Sequence, residues 1–305
     1  MKAERKKRIA LVCSGGGHLN QIKELIPLLI GEYKLSLVTL DRVDAKLSIP
    51  GGVSLLFISD IRGFRNNMKN LADSARVFFR VFPHTIVTTG AGATFTICLL
   101  GKLFFRNIVF IESFARVEGP SSFGKRIHKL ANSTLYQWPG LGSYYRSGIY
   151  AGPIFNLSFE SKRRTGNLIF VTVGSSEFQF NRLLKMVDQL AETLSDDIQV
   201  VAQSGTCTYS PKHMTMVPWI SIEEMREYFS KCRVVITHAG TGSIVNALDC
   251  GARVIVVPRL AACKEHIDDH QIEIAREFNK LGYVTIANDL ESLINNYQKT
   301  ETFTF

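Results

Sequence analysis

The chain of 305 residues contains no Asp-x-Asp, no Gly-x-Gly-x-x-Gly and no Cys-x-x-Cys. Without the first, it lacks the paired-carboxylate signature that holds a metal beside a nucleotide. Without the second, the dinucleotide fingerprint of an oxidoreductase is missing. Six cysteines (13, 98, 207, 232, 250 and 263) form no close pair, and several lie in apolar runs. That favours reduced core residues in a reducing cytosol over a disulfide framework. Long hydrophobic runs are also scarce. The best, 94–111, is interrupted by Lys102 and Arg106, and each such central charge opposes insertion by roughly 2.5–3.5 kcal/mol, so a buried helix to Phe105 followed by a strand over 108–111 is expected instead. The basic stretch 2–8 precedes only a short apolar run that ends in a glycine turn, so it is not expected to be a signal peptide. No low-complexity tract or short repeat is present.

What remains is a globular chain, 46% hydrophobic, long enough for roughly two domains. Its charge is uneven. Residues 1–155 hold 21 Lys and Arg against 9 Asp and Glu, a net +12, while 156–305 hold 15 against 18, a net −3. The first half therefore suits a polyanionic partner, either nucleic acid or an anionic membrane face. The basic residues are not interleaved with a known RNA- or DNA-binding motif, so no nucleic-acid partner is expected. Between 62 and 83, Arg62, Arg65, Lys69, Arg76 and Arg80 alternate with Phe64, Met68, Leu71, Ala75, Phe78, Phe79 and Phe82. That pattern fits a basic helix at a membrane interface, and equally a surface helix of an α/β layer.

Strand-like runs at 8–13, 34–40, 53–58, 85–89, 107–111 and 133–137 alternate with helix-like runs at 19–30, 65–81, 92–104 and 122–131. The second half repeats this, with strands near 167–173, 198–203, 214–217, 233–237, 253–257 and 283–286 and helices near 179–194, 221–230, 242–250 and 268–281. Such alternation predicts parallel sheets covered on both faces. The polar stretch 156–166 is the expected linker between a domain at 1–155 and one at 167–305. The fold class is then α/β, two doubly wound Rossmann-like domains enclosing a cleft at the carboxyl ends of their strands.

Two glycine turns sit where such folds bind ligands. His238-Ala239-Gly240-Thr241-Gly242-Ser243 joins an apolar strand to a helix. Unpaired N–H groups and the helix dipole make this an anion site, and Gly240 and Gly242 lack the Cβ that would hold a phosphate away. The polar run 265–271 opens another helix. Together they suggest a sugar-nucleotide site. In the first half, Ser14-Gly15-Gly16-Gly17-His18 follows strand 8–13. It is either a tight turn alone or a close approach to a ligand with His18 at the crevice.

The runs 171–178, 238–243 and 265–271 resemble the catalytic subunit of the eukaryotic enzyme that adds the second GlcNAc to dolichol-diphosphate-GlcNAc. They resemble still more the bacterial exopolysaccharide glycosyltransferase subunits similar to it. The runs 13–18, 87–92 and 111–121 resemble its partner, the anchoring, acceptor-binding subunit. The two kinds of polypeptide look fused here, acceptor half first, over roughly 8–290. The resemblance implies a GT-B fold and an inverting transfer from a UDP-sugar to a polyprenyl-diphosphate-linked saccharide, in exopolysaccharide or capsule biosynthesis. It also implies work at the cytoplasmic face of the cell membrane. One departure matters: the eukaryotic partner subunit usually has an N-terminal membrane helix, and here attachment through an apolar face, peripheral or monotopic, is expected instead.

On this reading Gly174, Ser175, Ser176, His238, Gly240, Thr241, Gly242 and Ser243 surround the diphosphate. Backbone N–H groups and the Thr241 and Ser243 hydroxyls stabilise the departing UDP, so neither metal nor cofactor is expected. Glu265, Asp269 and Gln271 are assigned to ribose or sugar hydroxyls, and His270 either touches the donor or packs. His18 is the first candidate for the base that takes the acceptor proton. Glu112 is the second, and it is otherwise a structural carboxylate. Gly16, Gly17, Arg116 and Lys125 are assigned to the acceptor, with Arg116 and Lys125 facing its diphosphate or simply solvated. Arg259 or Lys264 would suit a glucuronate carboxylate, although the donor sugar stays open. A UDP-sugar epimerase of the same fold is the alternative.

Overall fold

The computed structural model describes residues 6–46, 49–159, 166–176 and 178–302. Most of the expected linker, Glu177 of the 171–178 run and the last three residues lie outside that set. The chain divides into two compact units, Met1–Phe155 and Asn156–Phe305.

The first unit runs β1 (Arg8–Cys13), α1 (Gly17–Leu29), β2 (Lys34–Leu40), α2 (Val43–Lys46), β3 (Ser54–Ile58), α3 (Phe64–Val81), β4 (Thr85–Gly90), α4 (Phe95–Leu103), β5 (Asn107–Ile111), α5 (Gly124–Ile127), β6 (Ser133–Tyr136) and β7 (Ile149–Tyr150). Its strands form one parallel sheet in the order β3-β2-β1-β4-β5-β6-β7. The chain winds outward from β1 to one edge, then returns through β4 to the other. The switch between β1 and β4 is where a doubly wound sheet opens to ligands. One core face gathers Leu11, Leu19, Ile22 and Leu37 under α1, and the other Val12, Phe78, Ile97 and Phe110 under α3 and α4.

The second unit runs β8 (Leu168–Thr172), α6 (Asn181–Ala191), β9 (Gln199–Gln203), β10 (Thr215–Val217), α7 (Ile222–Lys231), β11 (Val234–Thr237), α8 (Thr241–Asp249), β12 (Arg253–Val256), α9 (His270–Lys280), β13 (Val284–Ile286) and α10 (Leu290–Thr302). Its parallel sheet has the order β10-β9-β8-β11-β12-β13, with the switch between β8 and β11. Val171, Ile236 and Ile255 are buried completely, as central parallel strands require. Ser221 and Glu224 form a reciprocal capping box that starts α7.

Besides the short α2 and β7, which were not expected, three elements differ from the sequence expectation. The helix expected at 122–131 shrinks to Gly124–Ile127. The Asn132 side chain instead accepts the Ile108 N–H at 3.0 Å and aligns the next strand. α10 was not anticipated, although Leu290, Leu293, Ile294 and Tyr297 recur at helical spacing and pack on the core of this unit. Its start is fixed by Asp289, whose side chain accepts the Ser292 N–H at 2.8 Å. Finally, α4 is not the buried helix that its composition suggested. Leu99, Leu103 and Phe105 are exposed, Phe105 to 96%. Among the described residues, no helix is long and apolar enough to cross a membrane.

Candidate functional site

In the second unit the ends of β8 and β11, paired through Thr172 and Thr237, carry the two glycine turns. Between them lies the His238 ring, 8% exposed. A Cβ added at Gly174 or at Gly240 would overlap that ring, and Gly174 also holds φ at +77°. These glycines are therefore demanded first by an imidazole. For Gly240 this revises the expectation that its missing Cβ serves a phosphate alone. Thr237 Oγ1 lies 3.3 Å from His238 Nδ1. Burial, with the neighbouring Arg259 charge, pushes the His238 pKa down to about 3. The ring is thus neutral near pH 7 and belongs to the turns as a rigid spacer.

α8 starts immediately beyond, with Gly240 as N-cap and no side chain capping its first turn. Thr241 is buried, and Gly242 and Ser243 are half-buried. Ser175 is exposed at the facing turn, and Ser176 accepts the Phe178 N–H at 3.3 Å. The expected diphosphate residues are therefore gathered at one sheet edge.

The 265–271 run behaves differently from expectation. Glu265, assigned to ribose or sugar, is 5% exposed. Arg182 grips both its carboxylate oxygens at 2.9 Å, and the Leu260 N–H donates to one of them at 3.0 Å. Its acceptor capacity is turned to the protein, as a bidentate pair requires. Gln271 is also buried, and its side-chain oxygen accepts the Arg259 N–H at 3.1 Å. Asp269 is exposed and accepts the Ala261 N–H at 2.8 Å. His270 meets Asp268 through Nδ1, and His266 Nδ1 approaches the same carboxylate at 3.4 Å. The ligating atoms of His266, Asp268 and His270 lie within 4.8 Å of one another. They could hold a divalent cation, and they equally form a hydrogen-bonded carboxylate between two imidazoles.

Arg259, offered above to a glucuronate carboxylate, is 0% exposed and cannot meet a substrate. Lys264 is exposed at a turn with φ +57°. Arg182, Phe180 and the buried role of Arg259 were missed. Their partners lie about 80 residues away in sequence, where no local pattern reveals them.

In the first unit the turns after β1 and β4 close on each other. Ser14 N–H donates to the Gly90 carbonyl at 2.9 Å, and Thr89 Oγ1 to the His18 carbonyl at 3.1 Å. Gly16, at φ +66°, is the N-cap of α1, and Gly17 is exposed. His18 is half-buried in the first turn of α1. A Cβ on Gly90 would stand 3.4 Å from His18 Cε1 and 3.2 Å from the Phe123 ring.

Glu112, the second candidate base, is 0% exposed. It accepts N–H groups from Ser113 at 2.7 Å and Ser121 at 3.0 Å, and the Tyr145 hydroxyl. Burial and the Glu112 charge push the Tyr145 pKa up. Glu112 is thus a clasp that closes the 112–121 loop, which corrects its assignment as a reacting group. Gln21 extends the clasp: its side-chain oxygen accepts the Phe114 N–H and the Gln137 amide, each at 2.9 Å. Arg116 is half-buried near Tyr145, and Lys125 is exposed on α5.

With this geometry in view, residues 168–303 match the glycosyltransferase family 28 C-terminal domain. Residues 57–154 match the family described as oligosaccharide biosynthesis protein Alg14 like. The chain is 27% identical over 141 residues to the UDP-N-acetylglucosamine transferase subunit ALG13 of Candida albicans, covering 43% of this chain and 46% of that protein. It is 39% identical over 83 residues to subunit alg14 of Schizosaccharomyces pombe, covering 25% and 40% respectively. The chain thus spans less than half the length of either relative. Among solved structures, MurG of Acinetobacter baumannii superposes with a TM-score of 0.64 at 16% identity, covering 97% of this chain and 91% of that one. At such identity the likeness establishes the fold, which is GT-B: two parallel-sheet α/β units.

Proposed function

We propose that the protein is an inverting UDP-sugar glycosyltransferase acting on a polyprenyl-diphosphate-linked saccharide. The second unit is the donor half and the first the acceptor half. One observation carries the donor assignment: two glycine turns, at the ends of neighbouring strands, are spaced by the neutral His238 ring beside the uncapped start of α8. Neutral spacing and amide donors suit a diphosphate leaving group, whose charge rises as the sugar departs. Asp269 and His270 are the side chains of the 265–271 run left to meet ribose and sugar, because Glu265 and Gln271 are engaged within the protein.

His18 is the proposed base. It stands half-buried at the β1–β4 switch, where an acceptor hydroxyl would be read, whereas Glu112 is closed off by Ser113, Ser121 and Tyr145. Deprotonation of that hydroxyl by His18 accompanies attack on the anomeric carbon, and UDP leaves from the opposite face. The likeness of residues 57–154 to Alg14-like proteins supports the acceptor assignment. An exopolysaccharide or capsule product is part of this reading.

The membrane face is proposed on α3 and α4, which pack together. Phe64, Met68, Leu71 and Phe79 on α3 are exposed, as are Leu99 and Leu103 on α4 and the adjoining Phe105. Arg65, Lys69, Arg76, Arg80 and Lys102 are exposed on the same two helices. Phe78, an expected inserting residue, is buried completely and Phe82 is half-buried, so the apolar contact shifts toward α4. This arrangement suits peripheral attachment to an anionic leaflet, here placed at the cytoplasmic face.

The test is a screen of UDP-sugars with membrane lipid extract as acceptor, read by the mass of the lipid product. A gain of one sugar with release of UDP is expected. Epimerised UDP-sugar formed without acceptor, and no lipid product, would replace this reading with the epimerase.

A further inference from the structure

The donor unit holds a completely buried cation that the proposed chemistry does not yet use. Arg259 follows β12, and its hydrogen bonds run to main-chain carbonyl oxygens. One terminal nitrogen donates to Phe178 at 2.8 Å, Glu265 at 2.9 Å and Gln179 at 3.4 Å, and the other to Val173 at 2.8 Å. The guanidinium lies over the Phe180 ring, 4.7 Å from its centroid. Its Nε has no hydrogen-bond partner among the described residues.

Two facts make this more than a brace. Glu265, whose charge acts on Arg259, gives it only its main-chain oxygen and commits its side chain to Arg182. Among the described residues no bonded anion cancels the positive charge at Arg259, a costly arrangement in a dry interior. Its field also reaches the ring between the two glycine turns, since Arg259 disfavours protonation of His238. A carbonyl fork alone would tie the turn after β8 to the 259–271 segment. A cation within the fork additionally places positive potential beneath that turn.

We propose that Arg259 is the positioning residue of the donor site, shaping the 173–179 turn and holding a buried positive charge beneath the place of a nucleoside diphosphate's phosphates. This rests on the donor half binding UDP. Arg259 touches no substrate; it acts through the main chain and through space.

The experiment compares UDP and uridine binding by calorimetry in the full chain for the wild type, Arg259→Gln and Arg259→Lys, with folding followed by circular dichroism. A charge effect falls on the phosphates. Arg259→Gln is therefore expected to weaken UDP about tenfold or more while changing uridine by less than about threefold. Arg259→Lys keeps the charge but not the fork, and is expected to retain most of the preference for UDP over uridine. Equal losses for both ligands in both variants would overturn the assignment and leave Arg259 a brace. Should Arg259→Gln fail to fold, Arg259→Lys decides: a kept preference supports the charge, and a lost preference with uridine binding intact refutes it. A wild type that binds neither ligand would defeat the donor reading itself. A wild type that prefers UDP, with an unchanged preference in Arg259→Gln, would defeat only this inference.

Discussion

The two units use the same device to opposite ends. Each places a histidine against a glycine at the switch of a parallel sheet: His18 by Gly90 where β1 meets β4, and His238 by Gly174 and Gly240 where β8 meets β11. His238 is buried beside a cation, and its pKa falls to about 3. His18 is half-buried in the first turn of α1. One imidazole is therefore a fixed neutral spacer, while the other keeps the access that proton transfer needs. Position in the fold gives a histidine its address, and burial gives it its chemistry.

The largest effect should come from breaking the contrast at His18. His18→Ala is expected to lower turnover by about 10²–10⁴ with UDP affinity little changed. Glu112→Gln should instead lower the melting temperature of the first unit, because it weakens a buried clasp. If Glu112→Gln abolishes turnover in a stable protein while His18→Ala does not, the roles of the two residues reverse.

Steric tests come next. Gly240→Ala forces its Cβ into the His238 ring and should cost about 1–3 kcal/mol of stability, with loss of UDP binding. Gly17→Ala meets nothing within 4 Å and should leave stability nearly unchanged. Denaturant unfolding of both variants makes the comparison, and similar losses would show that the two turns are not built differently.

Acid probes the neutral spacer. A histidine with a folded pKa near 3 and an unfolded value of 6.5 releases its proton on folding. Its contribution to stability is fully present above pH 6.5 and is lost as pH falls toward 3. In that window the stability advantage of wild type over His238→Asn should shrink by at most about 1.4 kcal/mol per pH unit. A constant difference between pH 7 and pH 4.5 would contradict the buried neutral ring.

The smallest effect concerns the membrane face. Lys102→Gln should weaken binding to anionic vesicles by about 1 kcal/mol, roughly fivefold, at low salt. Flotation measured across salt concentrations checks this. An affinity independent of salt would remove the electrostatic part of the reading.

Much of the fold was legible because alternating strands and helices announce themselves locally. Arg8–Cys13 and Val234–Thr237 are continuous apolar runs, each ending in a glycine turn, and β-structure followed at both. The buried polar groups were not legible. Glu265 is a surface carboxylate by composition and a gripped one only because Arg182, 83 residues earlier, reaches it. Glu112 became a clasp through Tyr145, 33 residues later. In α4 the error ran the other way: apolar composition suggested burial, but Leu99 and Leu103 on one face of this nearly all-apolar helix are exposed. Periodicity reports the direction of a side chain, and it cannot report what stands opposite.

The Gly174–His238–Gly240 arrangement has a consequence for sequence variation. Gly240 is held to its identity by the ring, whereas Gly174 is held by the ring and by its φ of +77°, so positions 238 and 240 should be epistatic. An alanine at 240 that is damaging beside His238 should become nearly silent once the ring is cut back to a methyl, a departure from additivity expected of residues that share one space. Sequence drift at this corner would then need to pass through the histidine first, and relatives with a small residue at 238 would be free to carry side chains at 240.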